Sequence, residues 1–354
     1  MGAVLSDILV LSPLYGMVAL GFVIIYRFTG VLNFAQGALF AIGAYLFYLV
    51  VEQARMPFVL ALLLVGGIGF AFGLGLYVTI FRPLSGRSVL AVILVTIALS
   101  TVVQGALILC FTARPYSLSR VAFLEGSLLT LPGDHLFPRA ALLMMLVYGL
   151  FLIGLGTLFR YLAAGVKGRA AGENPILASY RGIRVHWVFG AAWASSTLAA
   201  FLAGSVYIVN HQLSPSVAEV ALPGFAAAMV GGLDSITGTL LGAIMVAAGV
   251  SIAFQFVNPL LSDVMPYVIM FLVLYLRPWD KREGYPLKDP AGGHDIVGFP
   301  LPPPPKHYVT LHGDGATMPH PEGRVDLAMR PQTRAPGSAF VPTGDPMQDG
   351  IGAR

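Results

Sequence analysis

Two stretches of this chain place polar residues at spacings that bear on chemistry. The first is Lys167-Gly-Arg-Ala-Ala-Gly-Glu-Asn-Pro-Ile-Leu-Ala-Ser-Tyr-Arg-Gly-Ile-Arg184. Asn174 suits an N-cap and Pro175 the first helical position. Gly182 suits the C′ position that ends a helix. The helix between them holds about seven residues and is near 10 Å long at roughly 1.5 Å per residue. That is too short to cross a membrane. Its chemistry would be docking, with Ile176, Leu177, Tyr180 and Ile183 offered to a partner or to the protein itself. Arg169, Ala170 and Ala178 lie in the same stretch, and Glu173 is the single acid among Arg160, Lys167, Arg169, Arg181 and Arg184.

The second feature is an echo. Gly30-Val-Leu-Asn-Phe-Ala-Gln-Gly-Ala-Leu39 aligns with Gly231-Gly-Leu-Asp-Ser-Ile-Thr-Gly-Thr-Leu240 at an offset of 201 residues. In both, a Gly-flanked break with one polar residue precedes an apolar run. Asn33 and Asp234 are placed to cap the helix that follows, and Gln36, Gly37, Gly232 and Gly238 flank the two breaks. Helix starts of this kind present N–H groups that suit a passing carboxylate. The pair reads either as simple turns or as the two halves of a duplicated transporter.

Other chemistries are missing. There is no Gly-Lys-Ser/Thr, so no P-loop, and there is no HExxH, GxSxG or paired Cys/His ligand spacing. Cys110 is the only cysteine and cannot pair within the chain. His294, His307, His312 and His320 fall in a proline-rich tail and read as solvated.

The elements that must position these stretches follow from composition. The chain has 354 residues, of which 56% are hydrophobic and 11% charged. Soluble domains carry roughly 25% charged residues. The expected class is therefore an all-α integral membrane protein. Its form would be a polytopic bundle of eight or nine spans, nine preferred, with broken or short segments and a cytoplasmic coupling helix. Apolar runs fall near 3–26, 36–51, 58–81, 88–111, 138–159, 186–209, 238–257 and 263–277. The Ala/Gly-rich run 218–233 is a half-helix or a ninth crossing. The first run lacks a basic n-region and a cleavage site, so it reads as a retained span.

The centres of these runs carry no Asp, Glu, Lys, Arg or His. Coupled secondary transporters usually keep such a group there. Net charge is +4, set by the apolar part, and the basic residues sit at the ends of runs rather than in a nucleic-acid patch. The basic loop after 138–159 is placed in the cytoplasm by the positive-inside rule, with Arg82 and Arg87. Nine crossings put the C-terminal tail inside as well and residues 112–137 outside. Trp187 and Trp279 then fall at the inner interface. Gly69-Phe-Ala-Phe-Gly73 and the Ala199-Ala200/Ala203-Gly204 pair are small-residue faces, expected to pack within one subunit.

Four motifs carry a family resemblance. Gly21-Phe-Val-Ile-Ile-Tyr-Arg-Phe-Thr-Gly-Val-Leu-Asn-Phe-Ala-Gln-Gly37 resembles the N-terminal signature of branched-chain amino acid ABC transporter permeases of the LivH type. Arg169 to Ile183 resembles their ATPase-facing loop, Gly224 to Gly242 their third signature, and Phe271 to Pro278 their C-terminal end. The chain departs from the pattern at Pro223-Gly-Phe225, where members often have Lys-Ala-Phe, and at Gln36, where many have His. The resemblance implies a permease domain over 1–280. It implies no cofactor, ATP being bound by cytoplasmic ATPase subunits. It also implies a second permease subunit in a hetero- or homodimer, a periplasmic solute-binding protein and a bacterial inner-membrane location. Solutes would be branched-chain amino acids, other amino acids, amides or urea. A secondary transporter or channel is the alternative. Residues 281–354, which include Pro302-Pro-Pro-Pro305, read as a flexible extension.

Overall fold

In the computed structural model, residues 2–111, 114–119, 127–131, 135–161 and 163–276 are described. The fold is helical. Helix α1 spans Gly2–Thr29 and α2 Gln36–Tyr48, the latter closing in a π turn, Leu49–Gln53. Helix α3 spans Phe58–Leu76 with a π turn at Tyr77–Phe81, and α4 spans Val89–Phe111. A small antiparallel hairpin, β1 Ser127–Leu131 and β2 His135–Pro138, interrupts the helices. Then come α5 Arg139–Tyr161, α6 Ala163–Glu173, α7 Pro175–Tyr180 and α8 Val185–Tyr207. After a 3-10 turn at Pro215–Val220 the chain forms α9 Ala221–Gly231 and α10 Ile236–Ile252 with a π turn at Ala253–Val257. Helices α11 Pro259–Ser262 and α12 Met265–Leu276 finish the described part.

Among the described residues, five helices are long and apolar enough to cross a membrane: Val4–Thr29, Phe58–Phe81, Val89–Phe111, Val185–Tyr207 and Ile236–Val257. Eight or nine full spans is therefore too high a count. Ala141–Thr157, Ser216–Gly231 and Met265–Leu276 are apolar but shorter. Hydropathy alone does not separate a full span from a broken one. A run sheltered by neighbours needs fewer residues in lipid.

Helices α1 and α8 form the centre. Met17, Val18, Leu20 and Ile24 of α1 and Phe201 of α8 are fully or almost fully buried. Helix α4 lies at the periphery, and Thr96 is its only buried residue. Gly69 and Gly73 of α3 seat directly on Phe201 and Thr197 of α8, so this small-residue face packs within the subunit.

Two ends of the bundle are distinguishable. Toward one end Phe81, next to Arg82, stacks on Trp193 of α8 with ring centroids 3.6 Å apart. At the other, Tyr116 and Leu213 exchange backbone hydrogen bonds of 3.0 and 2.8 Å. Glu52 accepts from the backbone N–H and the hydroxyl of Ser119, and Gln255 Nε2 donates to Asp7 at 3.3 Å.

The echo has a structural counterpart. Gly30 (φ +67°) follows α1, and Gly232 (φ +91°) follows α9. Each break leads into a helix that ends in a π turn. Pro57 then starts α3, and Asn258-Pro259 starts α11. The same succession of left-handed glycine, helix, π turn and proline-led helix thus occurs twice, about 200 residues apart.

Candidate functional site

The basic stretch folds as two helices rather than one. In the sequence, residues 160–173 read as loop between apolar runs, and Gly165, Gly168 and Gly172 do lower helix propensity there. Tertiary packing overrides that preference. A Cβ on Gly172 would lie 2.7 Å from the carbonyl oxygen of Arg27, and one on Gly168 would lie 2.8 Å from the Phe28 ring. These glycines bring α6 against the end of α1, and Ala171 between them is fully buried. The signal was present as Gly168-Arg-Ala-Ala-Gly172, a small-xxx-small spacing outside the apolar runs. Arg169, Ala170 and Glu173 lie on α6, and Glu173 is exposed.

Helix α7 has both predicted caps. The Asn174 side chain accepts from the N–H of Leu177 at 2.9 Å, with Pro175 at the first helical position. Gly182 has φ +79°. Its N–H donates to Ser179 O at 2.9 Å, and the Ile183 N–H donates to Ala178 O at 3.0 Å. That pair of bonds is a Schellman motif with Gly182 at C′. The helix has six residues, against about seven expected. Ala178 is its buried contact. Ile176 and Leu177 are each 53% exposed and Tyr180 is 83% exposed, so α7 carries an apolar face left uncovered among the described residues. Ile183 does not share that face. It is half-buried and lines a cavity at the foot of α8.

Gly182→Val is expected to distort this end by about 1 kcal/mol or more, since a β-branched residue tolerates φ > 0 poorly. Gly182→Asn should be milder, because Asn visits that region. No heavy atom lies within 4 Å of a Cβ built there, so the effect is purely conformational. Proteolysis of the 174–184 segment should accelerate in the order Gly, Asn, Val.

The two breaks are differently built. Asn33 and Gln36 are fully buried. Gln36 Nε2 donates to Ser196 O at 3.3 Å, and its Oε1 receives Asn33 Nδ2 at 3.2 Å and Ser196 Oγ at 3.0 Å. Ser196 Oγ also lies 2.8 Å from Gly21 O. One amide thereby ties α1, α2 and α8 together. Asn33 Oδ1 accepts from the Ala35 N–H at 3.0 Å, and Thr96 Oγ1 accepts from the Phe34 N–H at 3.2 Å. Gly37 abuts the carbonyl of Ala218.

At the other break, the cap of α10 is Ser235, whose hydroxyl accepts from Gly238 N–H at 2.9 Å. Asp234 is exposed and one residue too early to cap. Gly231 and Gly238 cross backbone on backbone. A Cβ on either would come within 2.2 Å or less of the other's carbonyl oxygen. The N–H groups expected to greet a passing carboxylate at Phe34, Ala35 and Gly238 are thus already taken by protein acceptors.

The described residues form a helical bundle with two broken helices and a capped surface helix, and among them no cluster of metal-ligand side chains occurs. The model of the branched-chain amino acid transport system permease component matches residues 4–274, and the chain belongs to that family. It is 25% identical over 295 residues to the high-affinity branched-chain amino acid transport system permease protein BraD of Pseudomonas aeruginosa, covering 76% of this chain and 92% of that one. It is 24% identical over 286 residues to LivH of Escherichia coli K12, covering 76% and 91%. A probable branched-chain amino acid transport permease of Methanocaldococcus jannaschii is 27% identical over 296 residues, covering 78% and 90%. No solved structure matches. Residues 262–354 also match the model of the photosynthetic reaction centre H-chain N-terminal region. That second match covers the segment read as a flexible extension, which lies outside the described residues.

Proposed function

We propose that the chain is the translocation subunit of an ATP-driven importer in a bacterial inner membrane. Its solutes are branched-chain amino acids or related small solutes such as other amino acids, amides or urea. The basic loop faces the cytoplasm, and α7 is the element that meets a separate ATPase. A second permease subunit completes the path, and a periplasmic solute-binding protein delivers the solute. The observation that carries this reading is α7 itself. It is short, capped at both ends and seated through α6 on α1, with Ile176, Leu177 and Tyr180 uncovered. Glu173 adds an exposed acid beside it for a basic partner group. The absence of ionisable residues from the centres of the spans fits energy entering from a partner.

Reconstitution tests it. Proteoliposomes holding the lone chain should show no uptake under a proton or sodium gradient. Adding the ATPases, partner permease and binding protein should give ATP-dependent uptake of leucine, isoleucine or valine. Gradient-driven uptake by the lone chain would favour a secondary transporter instead.

The match over 262–354 favours a second reading for the C-terminal part. On this reading the part beyond the permease match, residues 275–354, is similar to an H-chain N-terminal region and acts apart from transport. Truncation after Glu283 should leave uptake and membrane level unchanged while removing any complex in photosynthetic membranes. Loss of uptake at unchanged membrane level would tie the tail to transport.

A further inference from the structure

A cavity of about 610 Å³ opens at the foot of α8, within the roughly 300–1,000 Å³ typical of small-ligand sites. One wall is the N-cap Arg184 and a single face of α8, Trp187, Val188, Ala191 and Ser195. These positions follow helical spacing, so the wall runs about 16 Å at 1.5 Å per residue. Ile24 and Phe28 of α1 and Lys167 of α6 also line it. Both cations are exposed, and no carboxylate lines the cavity. Trp187 is 58% exposed.

We infer that this cavity binds one anionic phospholipid, its phosphate between Lys167 and Arg184 and an acyl chain along α8 toward Ser195. The polarity of the cavity carries the assignment. It is cationic at Lys167 and Arg184 and apolar along a helix that crosses the bilayer, which is the order of groups in a phospholipid. A free anion would use the cations and leave the apolar stretch from Trp187 to Ala191, about 6 Å of helix, wet. An indole one turn from Arg184 suits the headgroup level, and basic groups at a membrane surface select anionic lipids.

Trp187 reports occupancy. The full chain is placed in phosphatidylcholine nanodiscs doped with either brominated phosphatidylglycerol or brominated phosphatidylcholine. The Trp187 signal is obtained by subtracting the Trp187→Phe variant. Two favourable charges predict half-quenching at a mole fraction roughly 30-fold lower for the anionic lipid. Lys167→Gln with Arg184→Gln should abolish that preference. Ala191→Phe should block quenching while leaving both charges in place. Equal quenching by the two lipids would overturn the assignment, as would a preference that survives the double substitution. Relief of quenching by inorganic phosphate at about the concentration of the cations' own anion sites, millimolar, would instead make the cation pair a free-anion site and overturn the lipid. None of these readouts depends on transport or on the ATPase, so a failure here is separable from a failure of the importer reading.

Discussion

Gln36→Leu is expected to destabilise the bundle by about 3 kcal/mol, the largest loss from any single polar position described above. The substitution keeps the volume near constant but removes a donor and an acceptor at a fully buried site. Asn33 Nδ2 loses its acceptor, and the Ser196 hydroxyl keeps only Gly21 O. Each buried group left unsatisfied costs about 1–3 kcal/mol. Because Gln36 ties α1, α2 and α8, the loss should loosen all three together. Gln36→His retains ring nitrogens that donate and accept, so it should recover part of the stability. Detergent-solubilised thermal unfolding measures both. Leu and His variants of equal stability would show that packing, not the amide, sets this site. Gly21→Val should resemble Gln36→Leu, since a Cβ there would overlap the Gln36 amide nitrogen at 1.8 Å.

Gly172→Leu should separate loop function from insertion. Its side chain would drive into the Arg27 carbonyl, which is backbone and cannot move aside. Helix α6 must then lift from α1 and carry α7 with it. The spans do not depend on that contact, so membrane abundance should stay near wild type. ATPase co-purification, and with it ATP-dependent uptake, should fall at least tenfold. Gly172→Ala, with one methyl in the same place, should lie between. A Gly172→Leu protein that retains the ATPase and couples hydrolysis to uptake would show that α7 is not the coupling element. The apolar face of Ile176, Leu177 and Tyr180 would then need another partner.

The sequence by itself determined the features whose cause is local. Composition and unbroken apolar runs required a helical membrane protein, since only closed hydrogen bonding survives in lipid. Asn174, Pro175 and Gly182 delimited α7, because caps act within four residues and φ > 0 at a chain stop favours glycine. The repeated Gly–polar–Gly pattern marked both helix breaks for the same reason. The tertiary structure decided what depends on neighbours distant in sequence. It turned a glycine-rich loop into α6 by seating Gly168 and Gly172 on α1. It made Gln36 a clamp through Ser196, 160 residues away. It moved the cap of α10 from Asp234 to Ser235, a choice set by one residue of backbone register. It also showed which apolar runs fold as a single helix long enough to cross a membrane, a matter of where the helices break rather than of hydropathy.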